Sequence, residues 1–301
     1  CAGTPTIQKY PSLFFNKKQA MSVGDKAYSL LKGDKLKRML KPEENSTNAF
    51  IEFKRTMGSD KSYFSSHMDK EYSSEELSAE VLKTLKSFVK DESIQSAIVT
   101  VPAKFTINQK DATLRAASLA GFSHCELLQE PIAAAMAYGL TSSNVDGYLL
   151  VFDFGGGTFD AALLDVKEGI MKVVDTEGDN YLGGKNLDFA IVDEIIIPYI
   201  EENNSIDLIL ENETKKTVLQ DAMKFFAEET KIQMSFKDTH NLLPDMDDLE
   251  KLGKDDDGEE FELDITVTKN MMREVIGPIF QKSVDITKAL LERNHVDNSA
   301  L

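Results

Sequence analysis

Apolar residues in this chain follow two rhythms, and the switches between them lay out its elements. Leu77, Val81, Leu85, Phe88 and Val89 recur at helical spacing. They follow Ser73-Ser74-Glu75-Glu76, which reads as a capping box, with Ser73 capping and Glu76 reaching back. The β-branched run SAIVTVP (96–102), stopped by Pro102, reads as a buried strand. Residues 108–120 predict a helix with Asn108 as N-cap and Gly121 as its stop. CELLQE (125–130) reads as a strand, and Pro131 suits the first turn of a helix that Gly139 ends. Strand, helix, strand, helix implies a parallel sheet with helices against it, hence an α/β protein.

A loop at 141–147 makes the best lobe boundary. Beyond it come three strand-like runs, 148–154, 158–166 and 170–177, then a long helical stretch from Gly184 to about Tyr199. Another helix covers roughly 213–236, FELDITVT (261–268) alternates like a strand, and a last helix runs over about 269–293. Ahead of residue 70 the pattern is mixed, with strand-like Ser12-Leu13-Phe14-Phe15 and helix-like stretches around 26–40.

The most restrictive stretch is YLLVFDFGGGTFDAALLD (148–165). Three glycines between two strands remove side-chain bulk, and their bare N–H groups can cradle a polyphosphate. Asp153 and Asp160 flank them, a pair suited to hydrated Mg²⁺. A Gly-rich hairpin turn is the plainer alternative. No Gly-Lys-Ser/Thr opens a helix here, so this is not a P-loop.

Composition narrows the classes. The 301 residues carry a formal net charge of −17, which argues against nucleic acid because no basic stripe could release phosphate counterions. No apolar run reaches membrane-spanning length, so no membrane partner is expected. Cys1 and Cys125 imply no disulfide framework and suit a reducing, cytoplasmic setting. Asn45-Ser46-Thr47 matches a glycosylation acceptor, a triplet common by chance. Asp255-Asp256-Asp257-Gly258 lacks the first Asp and the last Glu of a calcium loop and reads as a solvated turn.

Several phrases then occur in register. VTVPAKFTINQKDATLRAASLAGF, LLQEPIAAAMAYGL, VFDFGGGTFDAALLDV and GDNYLGGKNLDFAIVD together resemble the ATPase domain of the DnaK-type heat-shock chaperones, the seventy-kilodalton heat-shock family of the actin and sugar-kinase superfamily. The resemblance is dense over about 71–200 and traceable elsewhere. It implies an α/β, actin-like (ribonuclease H-like) ATPase domain of two lobes, each with a peripheral subdomain, with nucleotide between them. On that pattern 1–70 is a shortened peripheral subdomain of lobe I and 71–147 its core. Residues 148–177 are the core of lobe II, 178–268 its peripheral subdomain, and 269–301 a return to the core.

The resemblance also implies roles. Lys54, in FKRTMG, matches the catalytic lysine, and Glu130 the glutamate that orders the attacking water and metal shell. Thr158 matches the threonine that meets the γ-phosphate, and Gly155, Gly156 and Gly157 the second phosphate loop. Asp153 and Asp160 match carboxylates around Mg²⁺ and monovalent ions such as K⁺. Glu228, Lys231 and Ser235 match the helix that clasps adenosine, and Gly183 and Gly184 a nearby pair. Read without the family, Asp160 is a turn cap and Glu228–Lys231 an exposed i,i+3 pair.

Departures are visible too. The family's first phosphate loop, Asp-x-Gly-Thr-Thr, would precede Cys1 and its second adenosine motif would follow Leu301, so a fragment is expected. Lys110 stands where an arginine couples with the proline matched by Pro102, and lysine lacks the planar fork. Ile132 replaces a usual threonine. The implied activity is Mg²⁺-dependent hydrolysis of ATP to ADP, coupled to peptide clients through a domain not present here, with a J-domain cochaperone and a nucleotide-exchange factor. The alternatives are a non-hydrolysing scaffold or cochaperone and a filament-forming actin relative.

Overall fold

Apolar runs broken by short polar turns build mixed α/β architecture with several small sheets, seen in a computed structural model that describes residues 13–16, 21–40, 48–139 and 146–297. Cys1, Ser12, the Asn45–Thr47 triplet and most of the proposed boundary loop at 141–147 lie outside those residues. The chain divides into two units. The first comprises Cys1–Tyr28, Thr47–Asn180 and Ser283–Leu301; the second comprises Ser29–Ser46 and Tyr181–Lys282.

Early elements are β1 (Leu13–Phe15), β2 (Met21–Val23), α1 (Asp25–Lys37), β3 (Ala49–Phe50), β4 (Ser62–Ser65) and β5 (Lys70–Ser73). β1 pairs antiparallel with both β2 and β3. Leu13, Phe15, Phe50, Phe53, Tyr72 and Leu77 form one buried core, with Phe15 and Tyr72 stacked at 4.9 Å. A single 3-10 turn, Phe53–Thr56, hangs from that core by the buried Phe53.

Next come α2 (Ser74–Lys86), β6 (Ser96–Val101), α3 (Ile107–Leu119), β7 (His124–Gln129) and α4 (Glu130–Gly139). The Ser73–Glu76 capping box is present: Glu76 N–H donates to Ser73 Oγ at 3.2 Å, and Ser73 N–H to Glu76 Oε2 at 2.8 Å. α3 starts earlier than its sequence suggests. Thr106, not Asn108, is the N-cap, because Thr106 and Gln109 exchange both hydrogen bonds of a capping box. Gly121 ends α3 at φ +81°, the left-handed stop. β6 and β7 pair in parallel, Ser96 to His124 through Val101 to Gln129, as the alternation of strand and helix requires.

β8 (Gly147–Phe154), β9 (Phe159–Lys167) and β10 (Ile170–Asp179) form an antiparallel meander. β10 runs so close to β9 that a methyl on Gly178 would lie 2.4 Å from the Phe159 carbonyl oxygen.

In the second unit, α5 (Gly184–Ile191) runs through a π segment (Val192–Ile196) into α6 (Ile197–Asn203). Pro198 has no N–H to donate to Glu194, and the wider turn absorbs the ring: Ile197 N–H reaches back to Val192 instead. α7 (Asp207–Glu211), α8 (Glu213–Met234), β11 (Thr239–Leu242), α9 (Met246–Leu252) and β12 (Ile265–Thr268) follow, and α10 (Lys269–Arg293) begins in this unit and ends in the first. The strand expected over 261–268 is formed only at Ile265–Thr268, and its partner β11 comes from a segment that reads as turn-rich. The acidic run 255–257 is structural. Asp256 Oδ2 accepts from the N–H groups of Leu208 and Ile209 at the start of α7, and Asp255 Oδ1 accepts from Asp257 and Glu259 N–H.

The end of α10 is tied to β10. Arg293 donates to Asp175 Oδ2 and Glu177 Oε2, both at 2.7 Å, and Lys104 Nζ donates to Glu177 Oε1 at 2.8 Å. Lys104 first, then Arg293, pull the Glu177 carboxyl down from 4.5 to about 2. The unfolded chain therefore takes up this proton at higher pH than the folded one. The contribution is whole above the ordinary pKa and disappears as pH falls through the folded value. Solvent screening limits it to about 1 kcal/mol. Glu177→Gln is expected to flatten the pH dependence of urea unfolding between pH 4.5 and about 2. An unchanged slope there would contradict the tie.

Candidate active site

Most of the expected phosphate and metal residues sit in the first unit, on the hairpin of β8 and β9 and on two elements packed with it. The register places Asp153 directly across from Asp160 and Phe154 across from Phe159. Gly155–Thr158 is the turn between them, closed by Gly155 N–H donating to the Thr158 carbonyl at 2.9 Å. A methyl on Gly155 would come within 3.6 Å of Thr158 Oγ1, so that hydroxyl lies against the bare turn.

Glu130 opens α4 at the carboxyl end of the parallel strand β7. Lys54, on the 3-10 turn, donates to Glu130 Oε1 at 2.5 Å. Glu130, Asp153 and Asp160 line one small cleft with Pro102, Ala103 and Thr176. The fold thus brings together Lys54, Glu130, Asp153 and Asp160, residues far apart in sequence.

The electrostatics are lopsided. Burial pushes the Asp160 carboxyl above its ordinary range, and the negative charges of Glu130 and Asp153 push it further; Lys54 and Lys104 pull it back. Crowded carboxylates of this kind fit a divalent cation, which would offset their repulsion. Among the described residues no three His, Cys, Asp or Glu side chains gather into a direct ligand cage. A cation held by Asp153 and Asp160 would therefore keep water ligands, the habit of Mg²⁺.

The remaining expected residues lie in the second unit. Gly183 and Gly184 start α5, with Gly183 N–H donating to Asn186 Oδ1 at 3.0 Å. Lys231 Nζ reaches the Gly184 carbonyl at 3.3 Å, and Ser235 Oγ donates to the Lys231 carbonyl at 3.1 Å. Glu228 and Lys231 are not an exposed pair. Glu228 is buried, and Lys231 is ion-paired to the buried Asp188. Lys224 stands 3.4 Å from both Asp188 and Glu228, completing an alternating chain of four charges.

Asp188, Lys224 and Arg55 were missed by sequence reasoning. Asp188 shares a helical stripe with Ile191, Val192 and Ile195, which marks it as inward-facing and in need of a partner. Arg55 adjoins Lys54, carries no local signal of its own, and donates to backbone carbonyls at Gly157 and Asn180.

Comparison with known proteins places the chain in a family. A family model described as Hsp70 protein matches residues 26–301. A chaperone protein DnaK of Nitrosopumilus maritimus is 34% identical over 260 residues, covering 85% of this chain and 38% of that protein. A chaperone protein DnaK of Thermosipho melanesiensis is 38% identical over 217 residues, covering 70% of this chain and 34% of that protein. The chain spans little more than a third of the length of these relatives.

Proposed function

Since the chain belongs to the Hsp70 family, whose members are ATP-binding chaperones with an actin-like ATPase fold, we propose that it binds ATP with Mg²⁺ and hydrolyses it. The observation that carries this reading is the contact of Lys54 with Glu130 on the cleft shared by Asp153 and Asp160, next to a turn of three glycines. Phosphoryl transfer to water asks a protein for positioning and charge neutralisation rather than covalent chemistry.

In this proposal the Gly156 and Gly157 amides donate to phosphate oxygens and the Thr158 hydroxyl to the terminal phosphate, while Gly155, whose own N–H closes the turn, keeps the loop bare for the phosphate's approach. Lys54 neutralises charge on the phosphoryl group as it transfers. Glu130 accepts a hydrogen bond from the attacking water and orients it. Asp153 and Asp160 would hold Mg²⁺ through its waters, and the ion, when bound, neutralises the phosphate oxygens. Glu228, Lys231, Ser235, Gly183 and Gly184 belong to the adenosine end.

The finer architecture belongs to the same proposal: two lobes, each with a peripheral subdomain, divided as the sequence suggests. So does the wider role, in which hydrolysis gates peptide clients through a further domain, with a J-domain cochaperone and a nucleotide-exchange factor, in the cytoplasm. No described helix is long and apolar enough to cross a membrane.

Calorimetric titration with ATP, with and without Mg²⁺, tests the reading. Mg²⁺ is expected to tighten binding about tenfold or more, and Asp160→Asn to remove most of that gain. Binding without any cleavage would favour a scaffold, and no binding would end the ATPase reading.

A further inference from the structure

The glycine turn is held by a side chain to which the proposed reaction gives no role. Arg55 follows Lys54 on the 3-10 turn Phe53–Thr56. Its Nη2 donates to the Gly157 carbonyl at 2.7 Å and to the Asn180 carbonyl, just past β10, at 2.6 Å. Nη2 carries two hydrogens, so one nitrogen serves both oxygens. Nη1 donates to Glu52 Oε2 at 3.3 Å, which sets the plane of the guanidinium. A methyl on Gly157 would lie 3.4 Å from Arg55 Cζ, so the guanidinium rests directly on the turn.

The consequence follows from peptide geometry. No described peptide bond is cis. In a trans peptide the C=O and the following N–H point in opposite directions. Anchoring the Gly157 carbonyl on Arg55 therefore aims the Thr158 N–H away from Arg55. Unanchored, consecutive glycines sample both signs of φ almost equally, and a ligand would have to order them on binding. We infer that Arg55 is a positioning residue: it locks the Gly157–Thr158 peptide so that the Thr158 N–H is aimed before a phosphate arrives. This rests on the ATPase reading for its purpose, but not for its geometry. Lysine would keep the charge and lose the planar fork that reaches two carbonyls at once.

Amide hydrogen exchange over residues 155–160 of the nucleotide-free, full-length protein tests the lock directly. Arg55→Lys and Arg55→Ala are both expected to speed exchange there about tenfold. Exchange within twofold of the parent in both variants overturns the lock, whatever the activity. A second readout separates positioning from general damage. Arg55→Lys is expected to slow single-turnover ATP cleavage about tenfold while adenosine binding stays unchanged. Loss of adenosine binding in step with cleavage would overturn the positioning role. If the parent protein does not cleave ATP, the ATPase reading falls, and the exchange result still decides the lock.

Discussion

Lys54→Ala is expected to slow single-turnover ATP cleavage by about a hundred- to a thousandfold while ATP affinity changes by no more than about threefold. The reasoning starts from exposure. The Lys54 side chain is 50% exposed, and its bond to Glu130 lies at the edge of the cleft. An ion pair so placed adds at most about 1 kcal/mol to stability, so the variant folds and any loss lies in the chemistry. The ammonium also holds the Glu130 carboxylate in one position, so its removal frees the group proposed to orient water. Rapid-quench measurement of ADP formation, with enzyme in excess over ATP, reads the chemical step without product release. Parent-like cleavage in the variant would sink the role given to Lys54, and cleavage no faster than that of free ATP in both proteins would favour a chaperone-like scaffold that binds nucleotide.

Asp188→Ala should bring the largest loss of stability, about 3 to 5 kcal/mol, because it leaves two lysines facing a gap in a water-poor interior. Asp188 is almost fully buried between Lys231 and Lys224, and Glu228 stands beside Lys224. Removing one partner of a buried ion pair costs more than removing the pair, since the other charge loses its compensation. Asp188→Leu combined with Lys231→Met is therefore expected to recover much of the loss. Urea unfolding followed by circular dichroism measures both, and a loss below about 1 kcal/mol for the single variant would show the network to be solvated.

Local signals were the legible ones. The Ser73–Glu76 box, the Gly121 stop, the parallel pairing of β6 with β7 and the hairpin around Gly155–Gly157 each depend on residues near one another in sequence or on a simple period. At α3 two caps competed: Thr106-Ile107-Asn108-Gln109 offers a full capping box, which satisfies two N–H groups where Asn108 alone would satisfy one. β11 was hidden because Thr239–Leu242 has no apolar alternation and becomes a strand only by pairing with β12. Arg55 and Asp188 were hidden for a different reason. Their partners lie 102 and 125 residues away for Arg55 and 43 for the Lys231 pair, and no local period encodes such a meeting. The candidate site was legible through its glycines and paired acids, whereas Lys54 was singled out only by resemblance.

Phe53 is the root of a two-pronged tool. Neighbouring side chains on its one short coil reach in different directions, one to an acid at the head of α4 and the other to the bend after β8. A shift of that coil by an ångström would slacken both grips together. Damage at this place should accordingly look all-or-none rather than graded, with the two prongs failing as one.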